Sequence, residues 1–264
     1  MNKLEKLKKI LKNMGSVLVA YSGGLDSTFL LKVAQEALGD KVLAVTADSA
    51  TYPAEELVFA KKMARKLRMR HKIIHTRELK NEKFVSNPVN RCYFCKRELF
   101  SRLKGLAQKN KLNFIADASN VSDLGDFRPG NIAGIELKVR SPLQEAGFTK
   151  QDIRKQSKAL GLPTADKPSL ACLASRIPYG IKISPLLLSR INRAENFLRK
   201  QGFAQVRLRH YHGLCRIEVP KYDIPGLIKK RDFILDRLKS LGYNYITVDL
   251  EGYRTGSMNE VFKK

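Results

Sequence analysis

The chain has 264 residues, of which 43% are hydrophobic, enough for the core of one large domain or, as we favour, two smaller ones. Its 50 Lys and Arg against 25 Asp and Glu give a formal net charge of +25, which favours anionic partners such as nucleotides, phosphates or RNA, although a solvated basic surface has the same signature. No apolar run approaches membrane-spanning length and no secretory signature is present, so we expect no membrane contact and a cytoplasmic location.

The first predicted elements are a helix and a strand that lead into a glycine-containing loop. Hydrophobic residues recur at helical spacing, with lysines on the opposite face, at Leu4, Leu7, Leu11 and Met14. Residues 17–21 are an apolar segment typical of a strand, and a helical pattern begins at Thr28. The loop between them reads Ser22-Gly23-Gly24-Leu25-Asp26-Ser27.

Adjacent glycines between a strand and a helix predict a phosphate-binding turn. Gly23 and Gly24 allow backbone N–H groups to approach a phosphate, and the following helix N-terminus adds a favourable dipole. Ser22, Ser27 and Thr28 can donate hydroxyl hydrogen bonds, and Asp26 can hold the first-turn backbone or a magnesium ion. The loop lacks the lysine of a Walker A motif. A bare Gly-Gly pair is more often only a tight connection, so the prediction depends on the whole string.

Strands and helices then alternate as far as residue 160. Strands are predicted at 42–46, 72–75 and 114–117, and helices at 54–67, 96–109 and 151–160. This alternation predicts an α/β fold, a doubly wound parallel sheet covered by helices on both faces. Ligands of such folds bind beyond the carboxyl ends of the strands, where the Ser22 loop and Asp48 lie. Asp48 is suited to contact adenine or ribose, although an Asp-Ser turn is more often a helix entry.

The pattern changes after residue 167, which divides the chain into a domain at 1–167 and a smaller α+β domain at 168–264. Helices are predicted at 186–200 and 227–241, and strands at 205–209, 215–219 and 245–249. Arg207 and Arg209 alternate with apolar residues, so both project from one face of a sheet, where paired arginines suit phosphate binding. The alternation by itself favours a solvent-facing side.

The four cysteines are expected to be ligands or nucleophiles, because disulfides are rare in a reducing compartment. Cys92 and Cys95 have the C-x-x-C spacing, which alone indicates half a zinc site, a redox pair or coincidence. Cys172 lies far along the chain in the string PSLACLASRIPYG, residues 168–180. Cys215 lies in a strand-like segment and is interpreted as structural.

These strings resemble known proteins. The Ser22 to Ser27 string is similar to that of the PP-loop family of ATP pyrophosphatases, which cleave ATP to AMP and pyrophosphate while adenylating a substrate. NPVNRCYFCK (87–96), PSLACLASRIPYG (168–180) and EGYRTGS (251–257) resemble the LarE branch of that family, over nearly the whole chain. The resemblance implies that ATP and Mg²⁺ bind at Ser22, Gly23, Gly24, Asp26 and Ser27.

LarE-type proteins are ATP-dependent sulfur transferases that help to build the nickel pincer nucleotide. The resemblance implies adenylation of a carboxylate on pyridinium-3,5-dicarboxylate mononucleotide, followed by sulfur insertion to give a thiocarboxylate. The resemblance also implies that Cys172 occupies the sulfur-donating position. Its sulfur is either sacrificed, which leaves dehydroalanine, or Cys172 joins Cys92 and Cys95 as ligands of a [4Fe-4S] cluster that delivers sulfide. Thiolates bind zinc as well, so the metal stays open.

The same resemblance implies roles for further residues. Ser175 and Arg176 accompany Cys172 as catalytic residues, with Arg176 as a cation that favours the thiolate. Glu195, Arg207 and Arg209 are implied to lie near the acceptor or a phosphate. An inert, buried cysteine is the alternative for Cys172, which the surrounding motif disfavours. We also expect a sulfide or a sulfur-donor protein as partner, and a homo-oligomer.

Two rival functions are weighed against this one. Other PP-loop enzymes thiolate tRNA, some with a three-cysteine cluster, and the positive charge fits tRNA equally well. The sequence has no zinc ribbon of two C-x-x-C pairs and no recognised RNA-binding module, which argues against tRNA. A nucleotide-binding protein with structural zinc is the third interpretation, and it predicts ATP binding without pyrophosphate release.

Overall fold

A computed structural model describes residues 1–124, 129–168, 171–254 and 256–262. The chain divides into two compact units: Met1–Phe84 with Val89–Leu170, and Val85–Pro88 with Ala171–Lys264. The division falls near the predicted boundary after residue 167, but Val85–Pro88 also joins the second unit. It does so because the Ile183 amide donates to the Val85 carbonyl at 2.8 Å and the Gly180 amide to the Asn87 carbonyl at 3.0 Å.

The described residues of the first unit contain a four-stranded parallel sheet in the order β3-β2-β1-β4. Its strands are β1 Val17–Ala20, β2 Val42–Asp48, β3 His71–His75 and β4 Phe114–Ala116. From β1 the chain runs outward to β2 and β3 and then crosses back to β4 on the other side of β1. The strand order therefore reverses between β1 and β4, and ligands of open α/β sheets bind at the carboxyl ends of such strands.

Helices cover both faces of this sheet. The helices between residues 3 and 159 are α1 Lys3–Met14, α2 Leu25–Leu38, α3 Ala54–Lys66, α4 Glu82–Val85, α5 Arg91–Lys109, α6 Gly130–Glu136, α7 Pro142–Glu145 and α8 Lys150–Ala159. Successive residues of β1 enter different cores: Val17 and Val19 belong to one buried cluster, and Leu18 belongs to another. The predicted doubly wound α/β fold is thus confirmed.

Helices α2 and α5 begin well before the residues that the sequence pattern predicts. Helix α2 starts at Leu25 instead of Thr28, because Gly24 is its N-cap and the Thr28 amide already donates to the Gly24 carbonyl at 3.0 Å. Helix α5 starts at Arg91 instead of residue 96, so Cys92 and Cys95 lie in its first turns. Periodicity misses both starts because a glycine-rich loop and a C-x-x-C pair lack the apolar spacing of a helix.

The second unit is a small α+β unit, as predicted. It contains α9 Pro185–Lys200, β5 Arg207–Tyr211, β6 Leu214–Glu218, α10 Ile224–Lys229, α11 Arg231–Ser240 and β7 Tyr245–Val248. Strands β5 and β6 are antiparallel, and β6 and β7 are parallel. The predicted helix 227–241 is instead two helices, because Lys230 leaves helical geometry between α10 and α11.

Short 3₁₀ helices complete the described secondary structure, at Gly39–Lys41, Glu78–Lys80, Val121–Asp123, Leu173–Arg176, Lys221–Asp223 and Ser257–Phe262. The core of the second unit includes Leu188, Ile191, Leu198, Leu208, Ile217 and Leu238. Within the described ranges, none of the helices has the length and apolar character needed to span a bilayer.

Candidate functional site

Hydrogen bonds of its own serines stabilise the loop that follows β1. Ser22 Oγ and Ser27 Oγ lie 3.0 Å apart, and the Gly24 amide donates to Ser22 Oγ at 3.3 Å. Ser27 Oγ lies 3.3 Å from the Gly24 carbonyl and accepts from the Ser22 amide at 3.3 Å. These bonds link the loop to the first turn of α2, so its glycine backbone is fixed at the helix N-terminus, where phosphates are favoured.

A cavity of about 320 Å³ opens beside this loop, within the size range of ligand sites. Its lining includes Ser22, Gly24, Asp26 and Ser27 of the loop, together with residues after β2 and β4. The predicted nucleotide-binding residues Ser22, Gly24, Asp26, Ser27 and Asp48 therefore share one cavity. Gly23 does not line it, and its contribution is to the loop backbone, at φ +72°.

Asp26 is the carboxylate in this cavity best suited to a cation. One oxygen forms an ion pair with Lys150, while Oδ1 is buried and has no hydrogen-bond partner in the structure. A buried, unpaired carboxylate oxygen is costly, and a magnesium ion carried by ATP would satisfy it. The donor set thus fits the Mg²⁺ predicted at Asp26.

Acidic residues end two further strands at the same cavity. Asp48 is the last residue of β2, and its Oδ2 lies 3.1 Å from His75 Nδ1. Asp117 follows β4 and accepts from Ser119 Oγ at 2.8 Å and from Ser141 Oγ at 2.7 Å. Asp48 thus lies in the strand rather than in a turn, and its predicted contact with adenine or ribose stays a prediction.

Lys167 links the glycine loop to helix α3 by hydrogen bonds. Its Nζ donates to Glu56 Oε2 at 2.7 Å and to the Gly23 carbonyl at 3.3 Å, and it lies 3.6 Å from the centre of the Phe59 ring. The side chain is only 14% exposed, so the pair with Glu56 is well shielded from solvent. Lys167 therefore ties the loop to α3.

In the second unit, Cys172 lies at the start of a tight turn whose carbonyls are held by a buried arginine. Arg176 is fully buried, and its Nη1 donates to the Ala171 carbonyl at 2.7 Å and to the Cys172 carbonyl at 3.0 Å. Ser175 Oγ also donates to the Cys172 carbonyl, at 2.8 Å. Ser175 and Arg176 thus hold the backbone of Cys172, and their predicted catalytic roles stay predictions.

Glu195 is the counter-charge that stabilises the buried guanidinium of Arg176. Arg176 donates to both Glu195 oxygens, at 2.8 and 2.9 Å, Arg199 adds a third bond at 2.7 Å, and the Leu208 amide a fourth at 3.0 Å. Burial alone raises the pKa of Glu195, but Arg176 and then Arg207 and Arg199 lower it below its ordinary value. The carboxylate is fully buried and saturated, which describes a scaffold; its predicted contact with the acceptor stays a prediction.

Strand β5 is buried on both faces, so the solvent-facing alternative for its arginines is wrong. Arg209 pairs with both oxygens of Glu218, at 2.9 and 2.7 Å, and donates to the Ser175 carbonyl at 2.9 Å. Arg207 stacks on Tyr253 with 5.3 Å to the ring centre. Burial, followed by the charge of Arg176, lowers the pKa of Arg207 to about 10. Phosphate binding by either arginine stays a prediction.

The three predicted thiolate ligands lie in different units. Cys92 is exposed and Cys95 half-buried on α5 of the first unit, whereas the half-buried Cys172 belongs to the second. Within the described residues, no group of three His, Cys, Asp or Glu side chains is placed to hold a metal ion. Thiolates are donors that suit both iron-sulfur clusters and zinc, so the predicted cluster stays a prediction.

Comparison with known proteins decides the family. Over 255 residues, 96% of this chain and 92% of the relative, the sequence is 36% identical to pyridinium-3,5-bisthiocarboxylic acid mononucleotide synthase of Lactiplantibacillus plantarum. The chain belongs to the LarE family of PP-loop ATP-dependent sulfurtransferases. The predicted resemblance is thereby confirmed.

Further comparisons match part or all of this LarE-family chain. The family model described as queuosine biosynthesis protein QueC matches residues 16–87, which contain the glycine loop. An uncharacterized protein of Synechocystis is 41% identical over 265 residues, covering 100% of this chain and 99% of its own. An uncharacterized protein of Methanocaldococcus jannaschii is 30% identical over 258 residues, 97% of this chain and 98% of its own.

Sequence reasoning missed several residues of the LarE-family site. Asp117 could have been found, since it ends a predicted strand at the carboxyl edge of the sheet. Lys150 and Lys167 are two among many lysines, and only the fold shows that they contact Asp26 and the Gly23 carbonyl. No sequence signal distinguishes them.

Replacing Gly23 with alanine should weaken ATP binding by this LarE-family chain. Gly23 has φ +72°, and an added Cβ would lie 2.9 Å from Ala60 Cβ and 3.0 Å from Ala60 Cα on α3. Loop and helix must separate, so we expect the Kd for ATP-Mg to rise about tenfold or more. Calorimetric titration measures it. Gly105→Ala is the control, because its Cβ would meet nothing within 4 Å; equal affinity of both variants would contradict the prediction.

Proposed function

We propose that the protein is a pyridinium-3,5-bisthiocarboxylic acid mononucleotide synthase. A carboxylate oxygen of pyridinium-3,5-dicarboxylate mononucleotide attacks the α-phosphorus of ATP, and pyrophosphate leaves. The resulting acyl-adenylate loses AMP when sulfur attacks its carbonyl carbon, which yields the thiocarboxylate. One observation carries the proposal: the 36% identity covers 96% of the chain and so includes both the glycine-loop unit and the unit that bears Cys172.

The first half of the reaction belongs to the cavity beside α2. Backbone amides at Gly23 and Gly24 and the hydroxyls of Ser22 and Ser27 are the donors for phosphate oxygens. Asp26 is the ligand for the magnesium ion of ATP-Mg, through the carboxylate oxygen that has no partner. Lys150, paired with Asp26, provides positive charge beside the departing pyrophosphate.

The second half belongs to Cys172. In the sacrificial route its thiolate attacks the acyl carbon, AMP departs and a thioester forms. Removal of the Cα proton then breaks the Cβ–S bond, so that the thiocarboxylate leaves and dehydroalanine remains. The bonds from Arg176 and Ser175 to the Cys172 carbonyl fix the backbone from which the thiol projects.

In the catalytic route, Cys92, Cys95 and Cys172 would hold a [4Fe-4S] cluster through their thiolates. Such a cluster supplies an iron site without a protein ligand, at which inorganic sulfide can be bound and offered to the acyl-adenylate.

The test is ATP-dependent pyrophosphate release by anaerobically prepared protein, supplied in parallel with pyridinium-3,5-dicarboxylate mononucleotide or bulk tRNA. We expect release with the mononucleotide alone, accompanied by a thiocarboxylate product of the corresponding mass. Release with tRNA alone would overturn the proposal in favour of RNA thiolation. Binding of ATP without release in either arm would favour a nucleotide-binding protein.

A further inference from the structure

Glu78 is a buried carboxylate of the first unit that the mechanism above does not use. It begins the 3₁₀ helix Glu78–Lys80 and is only 3% exposed. Its Oε1 accepts hydrogen bonds from Ser49 Oγ and, at 3.4 Å, from Thr51 Oγ1. Its Oε2 is buried and has no hydrogen-bond partner in the structure. Among the described residues, no lysine, arginine or histidine forms an ion pair with it.

Burial of a carboxylate in this way costs free energy. A buried charge is ordinarily paired with a cation and fully hydrogen-bonded, whereas Glu78 is held by hydroxyl groups and keeps one oxygen unbonded. An apolar side chain of the same volume would fill this space at lower cost. The carboxylate therefore meets a requirement other than stability, and its side-chain contacts with Ser49 and Thr51 indicate which one.

Ser49 and Thr51 belong to the turn that follows β2, residues 49–52, which we call the Ser49 turn. The Thr51 amide donates to Ser49 Oγ at 3.0 Å, and the two side-chain oxygens lie 2.7 Å apart. The Tyr52 amide donates to the Ser49 carbonyl at 3.1 Å. Thr51 is only 1% exposed, so water cannot replace Glu78 as the acceptor for its hydroxyl. The inner side of the Ser49 turn thus depends on Glu78.

The outer side of the Ser49 turn is a wall of the ATP cavity. Ser49 and Tyr52 line the cavity of about 320 Å³, together with Asp48 at the end of β2. The phosphate-binding loop follows β1, the strand next to β2 in the sheet. A triphosphate bound at that loop leaves the β2 side of the cavity, including the Ser49 turn, for the nucleoside.

The fold places Glu78 behind this wall. Strands β2 and β3 are parallel, with Asp48 opposite His75, so the segments that follow them leave the same edge of the sheet. Glu78 comes three residues after β3, and the preceding residue is fixed to α5, since the Arg77 amide donates to Glu98 Oε1 at 3.1 Å. Glu78 therefore links the Ser49 turn to a segment with its own anchor.

We propose that Glu78 is a positioning residue for ATP, which holds the Ser49 turn in the conformation that binds the nucleoside. Glu78 is not part of the cavity lining and acts through Ser49 and Thr51. The inference rests on the proposed function, because it takes ATP as the ligand of this cavity. It assigns Glu78 to the nucleoside and not to the phosphates, and this difference can be measured.

Two substitutions separate the accepted hydrogen bonds from charge and volume. Glu78→Met keeps the length of the side chain but offers no oxygen to the two hydroxyls. Glu78→Gln removes the charge and keeps one oxygen that accepts from both. We expect Glu78→Met to raise the Kd for ATP-Mg about tenfold, because buried hydroxyls without an acceptor displace the turn. Glu78→Gln should raise it less than about threefold.

Inorganic tripolyphosphate with magnesium is the second ligand, since it carries the phosphates of ATP without the nucleoside. Its Kd should stay within about twofold of the parent value in both variants, because the phosphate-binding loop follows another strand. Calorimetric titration of the full-length protein measures both constants. General loosening of the fold would raise both, so the ratio of the two Kd values isolates the Ser49 turn.

Thr51→Val tests the same link from the side of the turn, in case Glu78→Met does not fold. It removes one hydroxyl at nearly constant volume, and we expect the Kd for ATP-Mg to rise about threefold while that for tripolyphosphate is unchanged. Thr164→Val is the matched control, because Thr164 is a fully buried threonine of the same unit whose Oγ1 has no hydrogen-bond partner in the structure. It should change neither constant.

Loss of both ligands to the same extent in Glu78→Met, or of neither, would overturn the role of Glu78. A Glu78→Gln variant as weak as Glu78→Met would overturn it as well, since charge would then be the cause. Equal effects of Thr51→Val and Thr164→Val would refute the hydroxyl link. A parent without affinity for ATP would overturn this inference and the proposed function together, whereas a parent that binds ATP and forms no thiocarboxylate would refute the proposed function alone.

Discussion

Cys172→Ala is expected to abolish thiocarboxylate formation while ATP cleavage continues. The variant removes the sulfur nucleophile and one cluster ligand, so product should fall about a hundredfold or more in either route. Pyrophosphate released in the first turnover with the mononucleotide should stay within about twofold, because the ATP cavity lies in the other unit. Product is measured by mass spectrometry and pyrophosphate in the same reaction.

Cys215→Ala is the matched control for this experiment. Cys215 is fully buried, and burial raises the pKa of its thiol to about 12, so it carries no thiolate at neutral pH. The Cys215→Ala variant should therefore form as much thiocarboxylate as the parent protein. The mass of Cys172 after turnover separates the two routes: conversion to dehydroalanine in proportion to product excludes the catalytic cluster, and an unchanged mass with several products per chain excludes sacrifice. Sulfur transfer by Cys172→Ala would contradict both.

Arg176→Met is expected to unfold the second unit locally. It removes the guanidinium from a fully buried pair and leaves Glu195 to the partly exposed Arg199 and the nearby charge of Arg207, which costs about 3 kcal/mol or more. The Leu208 amide, which donates to Glu195, is the probe, and its hydrogen exchange should accelerate. Arg199→Met is the control at the same carboxylate, since its side chain is 24% exposed and its loss should cost less than about 1 kcal/mol.

The pH dependence and a double variant test the cause. The pKa of Glu195 is lower in the folded than in the unfolded protein, so its pairing stabilises the unit above the unfolded pKa and is lost as pH falls through the folded value. Arg176→Met should remove this dependence. Arg176→Met with Glu195→Leu should recover stability relative to Arg176→Met alone, because apolar pairs can replace buried ion pairs. Equal exchange in Arg176→Met and Arg199→Met would contradict the assignment.

The first unit was predictable because its chemistry is local. The strand, the SGGLDS loop and the following helix are contiguous, and Thr149 with Asp152 forms the capping box that starts α8, with the Thr149 amide 2.9 Å from Asp152 Oδ2. Each signal lies within a few residues. Apolar strand segments alternate with helical segments along this part of the chain, and this alternation predicts a parallel sheet that is covered by helices on both faces.

The second unit shows where local patterns mislead. Arg207 and Arg209 alternate with apolar residues, which indicates a half-exposed strand, yet β5 is buried on both faces. The guanidinium of Arg209 tolerates burial because Glu218 neutralises it, and that partner comes from the neighbouring strand. An alternating pattern shows which residues are polar, but it does not show whether an ion-pair partner is available to bury them.

The sequence by itself determined the chemistry of this protein: a loop for nucleotide phosphate, three cysteines in recognisable strings, and the α/β fold that presents the loop. Only the tertiary structure decided how these parts are held. It assigned Lys167 to the glycine loop, Arg176 and Glu195 to the Cys172 turn, and Asn87 to the loop that follows that turn. The physical reason is that a motif consists of neighbours in the chain, whereas the ion pairs and hydrogen bonds that hold these parts join residues 19 to 144 positions apart.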